Sequence, residues 1–572
     1  MEIRWSAKEI PNQELIARLS EEINVSKAIA TILIQREIDT YDKAKNYFRP
    51  SLSDLHDPFL MNGMEMACDT IKQTITQQKK MMVFGDYDVD GTTAVSLVYA
   101  FFRTLNQNIE YYIPDRYKEG YGISKMGIDY AHENDIRLII ALDCGIRSND
   151  LIQYAKDLGI DFIICDHHLP GDELPNAKAI LNPKRKDCSY PYKELSGAGI
   201  GFKLIQAYSQ KEGFPEDKYL EYIDLVAVSI AADMVDMRGE NRILAFHGLK
   251  RLNSQPTIGL QALMDGAPAK SYYTMQDIIF GIGPKINAAG RISDAKAAVR
   301  VLIETDLTKA KQLSRILSDR NDERKELDTD ITKIATEIMN NSAERLNKKS
   351  IVLMGSEWHK GVIGIVASRM VEQFYKPTIV FSLNDGMLTG SARSVKNFDI
   401  HEAISSCSMF VEQFGGHKYA AGLSVREDQF EAFSAAFEKV VAENITENSL
   451  TPEVEYDLEI ELSEINNKMM GLILQMAPFG PGNTMPIFMS KDLSSFNTAR
   501  VLKDKHLKLN VQQHQRSSLE GIGFGLAEHI HTVSNGQIFD ACYCLEENHY
   551  NGQVKLQLRL RDIKGSNQNK SI

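Results

Sequence analysis

Apolar and polar residues change their spacing several times along this chain, and each change predicts a different kind of element. Residues 1 to about 78 carry the three-to-four-residue apolar spacing of helices, broken by YFRPSLSDLHDPFLMNG, and hold no catalytic signature. From residue 81 short apolar runs alternate with amphipathic stretches. Met81 to Phe84 reads as a buried strand, and Val95, Leu97, Val98, Phe101, Phe102 and Leu105 form one apolar helix face. RLIIALDCG (137–145) and DFIICDHH (161–168) read as strands on either side of the helical NDLIQYAKDLG. LVAVSIAADMVDM reads as a fourth apolar strand. Strand alternating with helix predicts a mostly parallel sheet.

Between Arg291 and Met354 there is neither Gly nor Pro, and the stretch is dense in Lys, Glu, Asp and Leu. It reads as a long helix joining two domains, with a helical hairpin inside one domain as the alternative. SIVLMGSEWHKGVIGIVASRM then restarts a strand–loop–helix pattern. Beyond residue 452, QVKLQLRLRDI alternates Val554, Leu556, Leu558 and Leu560 with Lys555, Gln557, Arg559 and Arg561, and Asn551-Gly552 before it is a hairpin turn. A small β-barrel with a basic outer face would suit a single nucleic-acid strand, although an ordinary half-exposed strand gives the same pattern. The fold class is α/β, with two α/β domains joined by a long helix and followed by a β-barrel. The division is 1–78, a mostly helical region packing on the catalytic domain; 79–290, the catalytic domain; 291–350, the helical connector; 351–447, a second α/β domain; and 452–566, the barrel.

A length of 572 residues exceeds one hydrophobic core and agrees with several domains. Composition is ordinary for a globular protein, at 43% hydrophobic and 25% charged. No apolar run reaches the length of a membrane helix and MEIRWSAKEIPNQELI lacks a signal-peptide core, so the chain is expected to be soluble and cytoplasmic. Seven cysteines form no CxxC pair, which fits reduced thiols better than disulfides or zinc. The net charge of −12 argues weakly against a nucleic-acid partner, because one groove can still be basic.

VFGDYDVDGTTAVS (83–96) raises the chemical question. Asp86, Asp88, Asp90 and Gly91 fit the opening of a calcium loop, but position twelve is Leu97 and a strand precedes the run. Asp88-Val-Asp90-Gly-Thr92 also resembles the nucleophile loop of haloacid-dehalogenase phosphatases, which predicts no consecutive histidines downstream. Here Asp143 ends the second strand, Asp166, His167 and His168 end the third, and Asp233 and Asp236 come after the fourth run. An Asp after a strand is often only a turn former or a helix cap. Four acidic ends in succession at the carboxyl edge of one sheet are harder to explain so, because that much like charge needs cations to neutralise it. Carboxylates with imidazoles suit Mn2+ or Mg2+, and two such ions could support phosphoryl transfer to water.

DYDVDG, LDCG, CDHH and AADMV resemble, in order, the motifs of the DHH phosphoesterase superfamily. IPDRYKEGYGIS, GIGPKINAAGRI, GSARS and FGGHKYAAGLSV are similar to the bacterial RecJ family of single-strand exonucleases, which carry a DHHA1 domain and, more loosely, a terminal OB-fold like residues 452–566. The resemblance implies two divalent cations, Mn2+ or Mg2+. Asp88 would bind one, Asp90 the other, Asp143 both, with His167 and Asp233 completing the second site and Asp86 beside the first. It further implies that His168 contacts the scissile phosphate with Asp166 behind it. Arg116, Tyr121, Arg291, Ser391, Arg393 and His417 would grip the 5′ end and backbone, His417 reaching the cleft through a glycine turn unless it is merely a loop histidine. The implied activity is 5′-to-3′ digestion of single-stranded DNA to 5′-mononucleotides in repair and recombination. Two α/β domains joined by a long helix further predict a cleft between them too narrow for duplex, which would explain single-strand selectivity by exclusion. The implied partners are a single-strand-binding protein and a RecQ-type helicase, with no membrane and a monomeric chain. Alternatives are a phosphodiesterase for short oligonucleotides and a non-catalytic single-strand-binding scaffold.

Overall fold

A computed structural model of the chain describes residues 2–266, 270–292, 294–495, 498–514, 517–550 and 553–566. The chain divides into two compact units, one of His56–Asp233 with Gly248–Pro452, the other of Met1–Leu55, Met234–His247 and Glu453–Ile572.

The first unit is built on two sheets. One is fully parallel, with Ile109–Tyr112, Lys80–Gly85, Ile136–Leu142, Asp161–Cys165 and Ala179–Leu181 side by side in that order. Its central strands are apolar along their whole length because helices cover both faces, which is why they read as continuous runs rather than alternations. Chain order reverses next to Lys80–Gly85, and the loop Asp86–Asp90 leaves the sheet there, at the place where open α/β sheets hold ligands.

The fourth expected strand is instead the helix Ile223–Ala232, with Asp233 as its C-cap. A buried apolar run of that length cannot be assigned by periodicity, and its three alanines and the burial of every residue but Ala232 suit a helix enclosed on all sides. Asp233 therefore reaches the sheet edge from a helix end. Asp236 accepts from the Arg238 guanidinium at 2.6 Å.

The expected connector is also divided. Helices Gly283–Ile292 and Lys296–Leu302 precede a 34-residue helix, Leu307–Asn340. Neither Gly nor Pro makes the break. The Glu304 carboxylate accepts from the Thr305 and Asp306 N–H groups, and Asp306 caps the long helix by accepting from Lys309 N–H. Fully buried Asp328 of that helix pairs with Arg324 at 2.9 Å and with Arg369 of helix Ile363–Phe374 at 2.6 Å, fastening it to the second sheet's domain.

The second sheet runs Gln413–His417, Ala420–Arg426, Met387–Arg393, Thr378–Asn384, Ile351–Gly355, parallel only in the last pair. Leu388, Gly390 and Ala392 face its core while Thr389, Ser391 and Arg393 lie on the other face.

In the other unit, a barrel closes because Phe488–Ser494 pairs with both Phe539–Tyr550 and His506–Gln513, and Ser517–Gly523 and Gln553–Gly565 complete the circuit. Leu558 and Leu560 point inward and Arg559 and Arg561 outward as the alternation requires, whereas Val554 is exposed. The Asn551-Gly552 turn lies outside the described residues, as does most of the polar tail. The N-terminal region, expected as a mostly helical 1–78 segment packing on the catalytic domain, is divided near residue 55 between the two units. Ile29, Ile32 and Leu33 share a core with Phe488, Val511 and Tyr543 of the barrel, and Arg4–Ala7 pairs in parallel with Glu453–Tyr456. Helix Met64–Thr76 belongs to the parallel-sheet unit, where Gly63 lies against the Ile180 backbone. Periodicity shows that a helix buries a face but not against what. Among the described residues no helix is long and apolar enough to cross a membrane.

Candidate active site

Three strand ends and one helix end bring the acidic groups together. Lys80–Gly85 runs into Asp86, whose carboxylate is fully buried and accepts from Gly122 N–H at 3.3 Å through Oδ1, while Oδ2 has no hydrogen-bond partner. The loop then folds back on itself so closely that a Cβ on Gly91 would collide with the Asp86 carbonyl oxygen. Asp88 caps the following helix, Val89–Arg103, by accepting from Gly91 N–H at 3.0 Å. Its bland reading as a cap is thus true of one oxygen.

Asp90 enters the first turn of that helix and is held at a second helix N-terminus. It accepts from the N–H groups of Gly197 and Ala198 and from the Ser229 hydroxyl, all at 2.7 Å. Spacing alone does not single out Ser196, Gly197 and Ser229. A signal exists nonetheless in the serine cap before GAGIG, since a Cβ on Gly197 would meet the Asp143 Cβ at 2.7 Å.

Asp143 comes directly after Ile136–Leu142 with a φ of +59°, a left-handed backbone that aspartate tolerates, and donates its N–H to the Cys165 carbonyl. Its Oδ1 has no hydrogen-bond partner but lies 3.1 Å from His167 Nε2. The same His167 nitrogen is 3.6 Å from Asp233 Oδ2 and 3.8 Å from Asp90 Oδ2. Ligand atoms of Asp90, His167 and Asp233, and of Asp143, His167 and His168, lie within 4.8 Å of one another in two overlapping groups. Asp166 stands behind the histidines: its Oδ1 is 2.7 Å from His168 Nδ1 and its Oδ2 accepts from Ile146 N–H. That bond turns His168 Nε2 outward, 3.3 Å from the Tyr121 hydroxyl, which itself donates to the Asp143 carbonyl.

The electrostatics are those of a site built around positive charge. Burial and then Asp88 push Asp86 well up; burial and then Asp90 push Asp88 and Asp143 up; burial, Asp90 and Asp88 push Asp233 to about 8. Burial holds the His167 imidazole below its usual range, in the neutral form a metal ligand needs, whereas the Asp166 contact raises His168 against its own burial. Mutually repelling carboxylates with two orphaned buried oxygens fit divalent cations.

A second cluster has the opposite sign. Arg291, at the end of helix Gly283–Ile292, donates to the Gly361 carbonyl at 3.1 Å, and Tyr117 donates to the Arg291 carbonyl, so the two α/β domains touch there. Arg116 lies over the Tyr87 ring at 4.8 Å. Arg393 donates to the Ser391 hydroxyl and to the Ala392 carbonyl. Burial, then Arg116, Arg393 and Arg324, lowers Arg291 to about 10, and burial with Arg116 after it lowers Arg393. A Cβ on Gly364 would stand 2.9 Å from Ser391 Oγ and 3.0 Å from Arg393 Nη2, so the first turn of helix Ile363–Phe374 faces the same cluster. His417 is exposed on the edge strand, and its register runs through Ala420 to Arg393. The same register aligns Gly415, Gly422 and Ser391 on one face. Arg116, Arg291, Ser391 and Arg393 therefore converge, Tyr121 belongs to the acidic centre, and His417 lies two strands away from Arg393.

Family models match at residues 80–230 (DHH family, N-terminal domain), 347–443 (DHHA1 domain) and 456–562 (RecJ OB domain). The chain is 33% identical over 564 residues to the single-stranded-DNA-specific exonuclease RecJ of Bacillus subtilis, covering 98% of this chain and 70% of that protein. It is 32% identical to its Escherichia coli counterpart, over 88% of this chain and 90% of that one. The crystal structure of Thermus thermophilus RecJ in complex with Mn2+ superposes with a TM-score of 0.84 at 26% identity, covering 99% of this chain and 80% of that chain. The chain belongs to the RecJ family of DHH phosphoesterases.

Proposed function

We propose that the chain is a metal-dependent exodeoxyribonuclease that digests single-stranded DNA from the 5′ end, releasing 5′-mononucleotides, in DNA repair and recombination. The observation that carries this is the pairing of two oppositely charged clusters along one helix. Gly290 of helix Gly283–Ile292 approaches Tyr87 of the aspartate loop, and Arg291, the next residue, belongs to the arginine cluster. A terminal phosphate held by Arg116, Arg291, Arg393 and Ser391 thus lies beside the acidic centre, where the next phosphodiester would be cut.

Asp86 and Asp88 would hold one cation, Asp90, His167 and Asp233 the other, and Asp143 would serve both, a division supported by the Asp90–His167–Asp233 grouping. Bound divalent ions supply the Lewis acidity that activates water and neutralises charge on the phosphate. Ser229 and the Gly197 and Ala198 amides fix the Asp90 carboxylate so that it does not swing with its load. Asp166 accepts from His168 Nδ1–H and favours the protonated ring, which leaves Nε2–H to donate to the scissile phosphate. Tyr121 limits how far that ring turns. The open glycine face of Gly415 and Gly422 beside Ser391 would leave room for the terminal nucleoside, and the contact of the two domains at Arg291 and Gly361 supports a cleft that would admit a single strand and not a duplex.

We also take the chain to act as a cytoplasmic monomer with a single-strand-binding protein and a RecQ-type helicase. Seven free, buried cysteines support a reducing compartment. The test is digestion of end-labelled, 5′-phosphorylated oligonucleotides with Mn2+. Release of 5′ label as mononucleotide from single strands, with blunt duplex spared, is expected; release from the 3′ end, or binding without any release, would overturn the reading.

A further inference from the structure

Phe280 is 79% exposed, whereas Phe84, Phe101, Phe102, Phe162 and Phe202 of the same domain are fully buried. It occupies a five-residue π-turn, Ile278–Ile282, whose ends are pinned by buried Ile278 and Ile282. Such turns insert one residue into a helix and re-aim the side chains beyond it, and they recur at functional sites. Next to Phe280, a Cβ on Gly281 would meet nothing within 4 Å, so the ring has open space beside it.

The turn's position gives the exposure a meaning. A Cβ on Gly283, just after the turn, would lie 3.7 Å from the Ala232 Cβ and 4.0 Å from Val89 Cγ2. Ala232 precedes Asp233, and Val89 separates Asp88 from Asp90. At the far end of the same helix, Gly290 and Arg291 reach Tyr87 and the arginine cluster. Helix Gly283–Ile292 is about 15 Å long, and it passes the aspartate loop with the phosphate-binding cluster at its end and Phe280 before its start. A strand whose 5′ phosphate sat among the arginines and whose first phosphodiester lay at the acidic centre would pass Phe280 if it ran on along this helix.

We propose that Phe280 is a stacking platform for a base on the 3′ side of the cut, holding the single strand in register for the next hydrolysis. The proposal rests on the nuclease reading above. An exposed aromatic ring serves this purpose because every base offers a π-face, so stacking grips the strand without reading its sequence.

The test compares wild type, Phe280→Ala and Phe280→Trp on 5′-phosphorylated oligonucleotides of two to twelve residues, and on twelve-residue strands carrying one abasic position. Phe280→Ala is expected to lose about tenfold or more in kcat/KM on the longest substrate, mainly through KM, the factor that ~1.4 kcal/mol of stacking corresponds to. The loss grows with length, Trp restores most of it, and one abasic position downstream of the cut erases the difference between wild type and Phe280→Ala. Equal activity at every length, an equal loss at two and at twelve residues, or no abasic position that erases the difference would overturn the proposal. If wild type releases no nucleotide, the nuclease reading fails instead. Stacking is then judged by oligonucleotide affinity in the fluorescence anisotropy of wild type and Phe280→Ala, where equal affinity would overturn it.

Discussion

The acidic centre and the arginine cluster are opposites built by the same rule. In the first, burial and then neighbouring carboxylates raise the proton affinity of Asp86, Asp88, Asp143 and Asp233; in the second, burial and then Arg116 and Arg393 lower Arg291, and burial and then Arg116 lower Arg393. Neither is a stabilising arrangement by itself, since like charges removed from water cost free energy that nothing within the cluster returns. Each is therefore suited to the opposite charge: divalent cations fit the first, and a phosphate is what the proposed function assigns to the second. They differ in support. The acidic groups hang from strand and helix ends of one domain, while the arginines come from two domains that meet at Arg291 and Gly361. The candidate ligands thus belong to one domain, whereas the arginines are shared across a contact between two.

The comparison is broken most severely by Asp143→Ala, which removes the carboxylate assigned to both cations. Hydrolysis is expected to fall at least ~10³-fold while single-strand binding survives, because the arginine cluster is untouched. Turnover and gel-shift affinity measured on the same preparation check both halves. Arg393→Ala attacks the other pole. Losing a hydrogen-bonded charge pair of ~1.5–3 kcal/mol should raise KM for 5′-phosphorylated strands about 10- to 150-fold, and the advantage of a 5′ phosphate over a 5′ hydroxyl should collapse. A variant that slows both ends alike would mean that the cluster does not hold the terminal phosphate.

Metal removal sharpens the same contrast through stability. Without cations Asp86, Asp88, Asp143 and Asp233 have folded-state pKa values above their unfolded ones, with Asp233 at about 8. Stability from such groups is present at low pH and lost as pH rises through the folded values, so the chelated protein should melt lower at pH 8 than at pH 6. Mn2+ at a hundredfold over its Kd should add about 2.7 kcal/mol and flatten or reverse that slope. Calorimetric scans at the two pH values, with and without Mn2+, decide it; a chelated protein indifferent to pH would remove the electrostatic argument for the site.

Legibility in the sequence divides along the same line, between the candidate ligands and the groups that hold them. Strand-end carboxylates and the histidine pair announce themselves, because polar residues at the tips of apolar runs break a pattern. Asp233 is legible for a partly mistaken reason: LVAVSIAADMVDM looks alike as a buried strand or a buried helix, and either way its end projects an aspartate. The supports of the ligands are not legible. The Gly197 and Ala198 amides and the Ser229 hydroxyl on Asp90 come from segments more than a hundred residues away, and only folding shows which N-terminus receives which carboxylate. The N-terminal helices illustrate the same limit, since their amphipathic faces are plain but their partner, the barrel core, is more than four hundred residues distant.

The smallest expected effect tests the cleft between the poles. Gly422 is aligned with Ser391 on one side and Gly415 on the other, on the face away from the buried Leu388 and Leu423. Both glycines have φ outside the left-handed region; a Cβ on Gly415 would meet nothing within 4 Å, and one on Gly422 only the Gly390 carbonyl at 4.0 Å. The chain itself thus has no steric reason to keep them, and glycine inside a strand costs ~0.5–1 kcal/mol relative to alanine. A protein considered without substrate should gain slightly from Gly422→Ala. If the face receives the terminal nucleoside, the added methyl group occupies the substrate's space, and kcat/KM should fall several-fold while the melting temperature holds or rises. Opposite movement of activity and stability in one variant is what a binding surface gives and a structural glycine does not, and a drop in both would return Gly422 to the fold.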